Sequence, residues 1–455
     1  MVAERLTTGR MPRCDNRGME RHDPAGARRQ VLECPVASRS AHDEPRSLLR
    51  WALQRPYLAW GFVLLVCGCG LAVAVRAWWA DPVDLEVYHA AGRAVFDGIP
   101  LYDRQLVDGP HFVYTPLAAL LFTPLAPLSM GAAKVVFILV NCLLLGCCAW
   151  WSWRSVGLRD RRTALVLTLL VACGSLGFEP AHHTLYVGQV NVMVLAIVLW
   201  DALRDDRCRT KGLGIGLAAG IKLTPLLFLP YLVVTRRFRA ASMAVVSFLG
   251  TVALGFAALP ADSAKFWPTG LFADSSRIWP DPGAAQNVSL NGLLIRLFGH
   301  TGDTNVLWVG VAGLLVARAI ALAARADRQG ERLLAVTLFG LCAAAVSPWS
   351  WGHHWVWVVP LVVFAGDQVL RSTDRAWPLI WAPPALLVAL TVVPAFRVPP
   401  PGQTGHDVSG PAGWVMGNIY VLLFAATLIS TSLHLWRSRI VAEPPKGPIG
   451  HPELS

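Results

Sequence analysis

Long apolar runs separated by short polar ones fill most of the chain, and their lengths are those of membrane helices. Crossing a bilayer takes roughly 20 apolar residues, and Tyr57–Trp79 satisfies this. Further apolar runs predict helices over Ala132–Trp153, Thr163–Phe178, Val190–Leu203, Ala240–Leu259, Thr304–Ala323, Leu333–Val346, Trp355–Gly366, Trp377–Phe396 and Gly413–Trp436. Three stretches depart from a simple crossing. Leu85, Tyr88, Ala91 and Val95 lie at helical spacing and predict an amphipathic helix over Leu85–Asp97, which would lie in the interface plane. Tyr114–Ser129 carries Pro116, Pro124 and Pro127 and reads as a re-entrant or interfacial element, because prolines interrupt a straight helix. Gly212–Thr235 is long enough for one pass, yet Lys211 and Arg236 at its two ends both read as cytoplasmic. The interruption at Lys222–Pro225 therefore predicts two half-helices that meet at a polar junction inside the membrane, the form that binding sites take in such proteins. The pattern gives an all-α polytopic membrane protein of about ten to twelve transmembrane segments, with re-entrant and interfacial helices.

Composition agrees. The chain is 54% hydrophobic and 15% charged, against about 25% charged in soluble domains, and its mean hydropathy is +0.47. A formal charge of +11 raises the question of nucleic acid, but the basic residues fall in short clusters between apolar runs. These are Arg154/Arg159/Arg161/Arg162, Arg204/Arg207/Arg209/Lys211, Arg236/Arg237/Arg239, Arg318/Arg325/Arg328/Arg332, Arg371/Arg375 and Arg437/Arg439. That is the positive-inside pattern, and it removes the need for a nucleic-acid partner. With these clusters in the cytoplasm, one set of segments poor in Lys and Arg falls on the outer side. It comprises the loop around Asp84, Phe178–Asn191, Pro260–Asp303, Ser347–His354 and Arg397–Ala412. Residues 1–50 are polar and Arg-rich, with no apolar segment of a signal peptide, and read as a disordered cytoplasmic tail. A membrane domain over 51–436 and a cytoplasmic tail over 437–455 complete the organisation. Of the ten cysteines, Cys67, Cys69, Cys142, Cys147, Cys148, Cys173 and Cys342 sit in apolar runs, where cysteine acts as a small hydrophobe.

Ionisable residues at or inside a membrane are costly and draw attention for that reason. Asp84 follows the first apolar run, with Asp81 and Glu86 as neighbours; the plain reading is a solvated helix cap. Lys222, one of five lysines, lies within an apolar run. It either snorkels to the interface or serves as a compact point charge for phosphate. His353 and His354 follow SPWSWG at the outer end of a span, as interfacial belt residues, phosphate donors or ligands of a divalent ion. The chain shows no full metal-ligand set. Gln189 and Asn191 stand where a helix begins and could cap it. Asn287, Ser289 and Asn291 could contact a sugar or order a loop, and the Asn287-Val288-Ser289 sequon is too common to argue glycosylation. Together, on one side of the membrane, these groups supply a general base for a hydroxyl and cations for a departing phosphate. Glycosyl transfer from a lipid-linked sugar phosphate needs those roles. A lipid or glycolipid flippase is the competing class, and a scaffold for envelope assembly a further one. A transporter would call for charges at mid-membrane and two similar halves, and no internal repeat is visible.

DLEVYHAAGRAVFDGIPLYD, FVYTPLAALLFTPLA, GQVNVMVL, GIKLTPLLFLPYL, QNVSLNGLLIRL and SPWSWGHHWVWVVPL occur in that order from Asp84 to about Pro360. Together they resemble the actinobacterial α-1,2-mannosyltransferases that use polyprenyl-phosphate-mannose, glycosyltransferase family 87, with a GT-C-type membrane fold. The resemblance implies a plasma-membrane enzyme working on the outer face without an established cofactor. Its donor would be polyprenyl-phosphate-mannose and its acceptor a mannolipid, either a phosphatidylinositol mannoside or lipomannan/lipoarabinomannan. The family's acidic residue falls on Asp84, its histidine pair on His353 and His354, and its KLTP lysine on Lys222. Under the resemblance Asp84 is the base of an inverting displacement, and Lys222 with the histidines holds the leaving phosphate. Tyr88, Gln189, Asn191 and Asn291 are candidate contacts to substrate. Where the family often reads Tyr-Pro-Pro, this chain has Tyr114-Thr115-Pro116.

Overall fold

The computed structural model describes residues 56–274, 277–279, 281–371, 376–392 and 410–442. The expected N-terminal tail lies outside these residues, as does most of the expected C-terminal one. Among the described residues all regular structure is helical.

The chain begins with α1 (Pro56–Trp78), then α2 (Val83–Asp97), α3 (Pro116–Phe122), α4 (Met130–Ser155), α5 (Arg161–Ser175) and α6 (Glu179–Val187). It continues through α7 (Asn191–Ala202), α8 (Leu213–Ile221), α9 (Phe228–Val234), α10 (Phe238–Ala258), α11 (Pro260–Phe266) and α12 (Leu290–Phe298). It ends with α13 (Gly302–Arg328), α14 (Arg332–Val346), α15 (Val358–Arg371), α16 (Ala376–Leu390), α17 (Gly410–Gly417) and α18 (Ile419–Ala442). Among the described residues five helices, α1, α4, α10, α13 and α18, are long and apolar enough to cross a membrane by themselves. Helices α5 and α6, bent by 67° at their junction, pass the same length and hydropathy test together, as a broken span or a re-entrant loop. Several other apolar helices, α14 and α16 among them, have only 10–17 residues. The outer faces of α1, α10 and α13 expose Leu65, Leu71, Val246, Leu249, Val309 and Leu314, as a lipid-facing surface requires.

Three local devices shape the bundle. Side-chain oxygens open the helices: Thr115 accepts from the Ala118 N–H (3.2 Å) before α3, and Asp160 accepts from the Thr163 N–H (2.7 Å) before α5. The second device is a ridge of glycine at every fourth position along α8, Gly212, Gly216 and Gly220, which lies directly on α10. A Cβ at Gly212 or Gly216 would stand 2.0 or 2.3 Å from the Ala240 or Ala244 carbonyl oxygen. Small residues at this spacing let two backbones close together in a membrane. Third, the helix predicted to break does break: α8 ends at Ile221, Lys222 is extended (φ −145°, ψ 127°), and a single 3₁₀ turn leads into α9.

Charged groups are sorted to opposite ends of shared helices. At one end Asp206 pairs with Lys211 (2.9 Å), Arg237 (3.0 Å) and Arg332 (2.6 Å), while Asp327 pairs with Arg237 (2.7 Å) and Arg332 (3.3 Å). Arg332 starts α14, and the turn bearing His353 and His354 follows its far end. Fifteen residues at about 1.5 Å each separate the two ends by roughly 22 Å.

Candidate active site

Asp84 is the second residue of α2, in its first turn after Pro82, and not in a loop beyond a helix. Four residues on, Tyr88 shares its face. Tyr88 is fully buried and stacks on Phe122 of α3, with ring centroids 4.3 Å apart. Its hydroxyl lies 2.8 Å from both the Tyr114 hydroxyl and Gln189 Oε1, and the Tyr114 hydroxyl donates to the same oxygen at 3.0 Å. With Oε1 engaged, the Gln189 amide is the side free to favour the charged form of Asp84. Gly188 makes this approach possible. It has φ +76°, and a Cβ there would lie 2.5 Å from Leu85 Cβ.

Lys222 enters from the break between α8 and α9. The Thr115 hydroxyl donates to the Gly220 carbonyl, a backbone group the break leaves free; Thr115 is where the family often has proline. The Lys222 ammonium donates to Asn191 Oδ1 (2.9 Å), lies 2.9 Å from His354 Nε2, and stands 5.8 Å over the Tyr114 ring. Asn191 does not cap α7. Its amide joins the lysine to the histidine turn by donating to the His353 carbonyl at 3.0 Å.

The turn Gly352–Trp355 carries both histidines. His354 Nδ1 lies 3.3 Å from the Trp351 N–H, and its Nε2 faces the Lys222 ammonium. The Lys222 ammonium and His354 Nε2 meet at hydrogen-bond distance, and an ammonium placed there can also receive an oxyanion as a compact point charge. His353 is buried, with neither ring nitrogen hydrogen-bonded among the described residues. Burial, first, and neighbouring His and Lys groups hold both imidazoles well below their usual range, so in this site they are neutral. Asp84 is shifted up to about 6, with burial as the cause, opposed by Lys222, His183 and the Gln189 hydrogen bond.

Asp84, Tyr88, Gln189, Asn191, Lys222, His353 and His354 thus form one connected cluster. Asn291 stands behind it, donating to the Pro348 carbonyl at 3.0 Å. Asn287 orders the same outer loop, accepting from the Ser350 N–H (3.1 Å) and donating to the Pro348 carbonyl (3.1 Å). Three residues join the cluster that the sequence did not single out: Tyr114, His183 and Glu179. His183 Nδ1 meets Glu179 Oε1 at 3.2 Å, and its ring lies 5.0 Å from that of His353. The i, i+4 spacing of Glu179 and His183 in an outer segment was the available signal. Among the described residues no group of three or more His, Cys, Asp or Glu side chains could hold a metal ion.

A membrane-embedded helical bundle with a carboxylate, an amide and a lysine around one site has the equipment of a lipid-dependent transferase. The family described as Glycosyltransferase family 87 matches residues 112–348. The chain is 35% identical over 342 residues to the polyprenol-phosphate-mannose-dependent alpha-(1-2)-phosphatidylinositol mannoside mannosyltransferase of Mycobacterium tuberculosis, covering 70% of this chain and 79% of that one. It is 33% identical over 380 residues to the corresponding phosphatidylinositol pentamannoside mannosyltransferase of that species, covering 79% and 84%. This protein belongs to glycosyltransferase family 87 and is a multi-pass membrane glycosyltransferase. The solved structure of ArnT from Cupriavidus metallidurans bound to undecaprenyl phosphate aligns over 84% of this chain and 78% of that one, with a TM-score of 0.38 and 14% identity.

Proposed function

We propose that this protein transfers mannose from polyprenyl-phosphate-mannose to a mannolipid acceptor of the phosphatidylinositol mannoside or lipomannan class, forming an α-1,2 bond on the outer face of the plasma membrane. The observation that carries the reading is the opposition of Asp84 and Lys222 across one site, bridged by Gln189, Asn191 and His354. The donor and acceptor classes follow the printed activities of the two mycobacterial relatives. Charge sorting supports the outer face, since the Arg-rich end of α14 lies opposite the site and basic residues favour the cytoplasm.

In this mechanism the Asp84 carboxylate takes the proton of the acceptor 2-hydroxyl. That oxygen attacks the anomeric carbon as the bond from carbon to phosphate oxygen breaks on the opposite face. The electron pair leaves with polyprenyl phosphate, and the β-linked donor becomes an α-linked product. Lys222 supplies the charge and His354 a hydrogen bond to the departing phosphate. Tyr88 and Tyr114 fix Gln189, and Gln189 holds Asp84.

The test supplies radiolabelled polyprenyl-phosphate-mannose and a panel of mannolipids to membranes containing wild type or Asp84→Asn, and digests the products with a linkage-specific mannosidase. Wild type should yield an α-1,2-linked product, and Asp84→Asn should lose roughly 10²–10⁴-fold in rate, the range for a general base. Equal rates would remove Asp84 as the base. No product with any acceptor, from folded protein and intact donor, would overturn the activity.

A further inference from the structure

Behind α2, on the side turned away from Asp84, lies an open groove of about 600 Å³. That volume falls within the roughly 300–1,000 Å³ of small-molecule sites. Glu86, His89, Arg93 and Asp97 line it from α2, and Arg104 and Gln105 line it from the loop that follows. Glu86, Arg93 and Asp97 stand two, nine and thirteen residues beyond Asp84. At about 100° per residue, all three fall within roughly 40° of the face opposite the carboxylate. One helix therefore carries the reactive group on one side and the groove on the other, and Glu86 marks the end nearest Asp84.

The groove is held in shape from both sides. Helix α2 presses on the end of α3 so closely that a Cβ at Gly92 would stand 2.4 Å from the Phe122 carbonyl oxygen. His89 Nε2 lies 3.0 Å from the Leu128 carbonyl oxygen. The loop is anchored by the Leu101 N–H, which donates to Asp262 Oδ1 of α11 at 2.8 Å. Tyr102 is buried beside it, and its hydroxyl donates to the carbonyl of Tyr114 at 2.7 Å. Within this fixed frame the charged groups are unengaged. Among the described residues Glu86, Arg93, Asp97 and Arg104 make no ion pair and no side-chain hydrogen bond.

Two carboxylates and two guanidinium groups in one groove narrow the class of ligand. A phosphate would be repelled by Glu86 and Asp97, and an amine by Arg93 and Arg104. A neutral polyol meets neither obstacle. Its hydroxyls donate to carboxylates and accept from guanidinium N–H groups, and hydrogen bonds to charged partners are the stronger ones. We propose that this groove is an acceptor subsite, which binds the mannosyl units next to the one that receives the new bond. The inference rests on the mannosyl transfer proposed above and deepens it. The sugar chain of the acceptor wraps the first turn of α2. Its terminal mannose faces Asp84, and the units behind pass Glu86 into the groove towards Arg93 and Arg104. The enzyme therefore prefers acceptors that already carry several mannoses, and the preference resides in KM.

The experiment compares an alkyl α-mannoside with the alkyl mannotrioside that ends in the same mannose. Both are offered, with labelled polyprenyl-phosphate-mannose, to monodisperse protein in liposomes. Glu86→Gln and Arg93→Ala should each raise the KM for the trioside about tenfold. The KM for the monomannoside, the donor KM and kcat should stay unmoved. Ala90→Trp, which fills the groove without removing a polar group, should act in the same way. A KM change shared by both acceptors overturns the inference, and so does an unchanged trioside KM in the three variants. Transfer by the wild type to neither acceptor would instead overturn the activity. The groove is then read without chemistry, by saturation-transfer NMR of free mannotriose on the same protein. Signals lost in Ala90→Trp support the subsite. Signals that persist in that variant, or no signal with the wild type, overturn it.

Discussion

A single lysine side chain illustrates what the residue scale decides. Lys222 is held by Asn191 Oδ1 and faces His354 Nε2, both at 2.9 Å. Hydrogen bonds to charged groups contribute about 1.5–3 kcal/mol. Lys222→Ala should therefore raise the KM for the lipid donor roughly 10–100-fold and leave the KM for the acceptor unmoved. Initial rates over a matrix of both substrates check this; an unchanged donor KM would remove Lys222 from the phosphate site. Lys222→Arg should not restore the donor KM, because a planar fork cannot replace a point charge between an amide and an imidazole. Most of this cluster could be read from the residues, since a lysine in an apolar run or a carboxylate beside a span stands out by its cost. His183 and Glu179 did not stand out. Their significance comes from contacts with Gly352 and Tyr420, which are remote in sequence, and no local pattern reports such contacts.

At the scale of elements, the positions of α2, α6 and α8 depend on glycines. Gly188 and Gly98 both take the left-handed conformation, at φ +76° and +65°. A Cβ at Gly98 meets nothing within 4 Å, whereas one at Gly188 collides with Leu85, next to Asp84. The strain of a non-glycine residue there costs about 1–3 kcal/mol. Gly98→Ala should thus lose some thermal stability and keep its transfer rate, while Gly188→Ala should lose transfer as well, since α2 must retreat from Gln189. Melting in detergent beside transfer assays separates the two, and equal activity of both variants would show that the close approach is dispensable. The sequence pattern disclosed the broken helix at Lys222 because proline and lysine within an apolar run interrupt it. It placed Asp84 outside a helix that in fact includes it, because Pro82 and the acidic residues at a first helical turn look like a loop until the turn is seen. Helices α6 and α12 lay hidden in segments read as loops, being only nine residues each.

For the whole molecule, the charge network and the site occupy opposite ends of α14. Asp327 is nearly buried between Arg237 and Arg332. Breaking such a pair leaves uncompensated charge at a cost of about 3–5 kcal/mol. Asp327→Asn should lower the melting temperature in detergent while the surviving folded protein retains its kcat and both KM values. Altered substrate KM values would mean that the two ends are coupled. The charge asymmetry itself was legible, because clusters of arginine between apolar runs need no tertiary contact to be seen. The closure of the bundle by its last helix was not. Tyr420 of α18 reaches back to Glu179, and its ring covers Trp355. A ribosome feeding this chain into the membrane would deliver Asp84, Lys222 and both histidines before the residue that locks their turn in place. The histidine turn would thus gain its contact with Tyr420 only when the final helix is inserted.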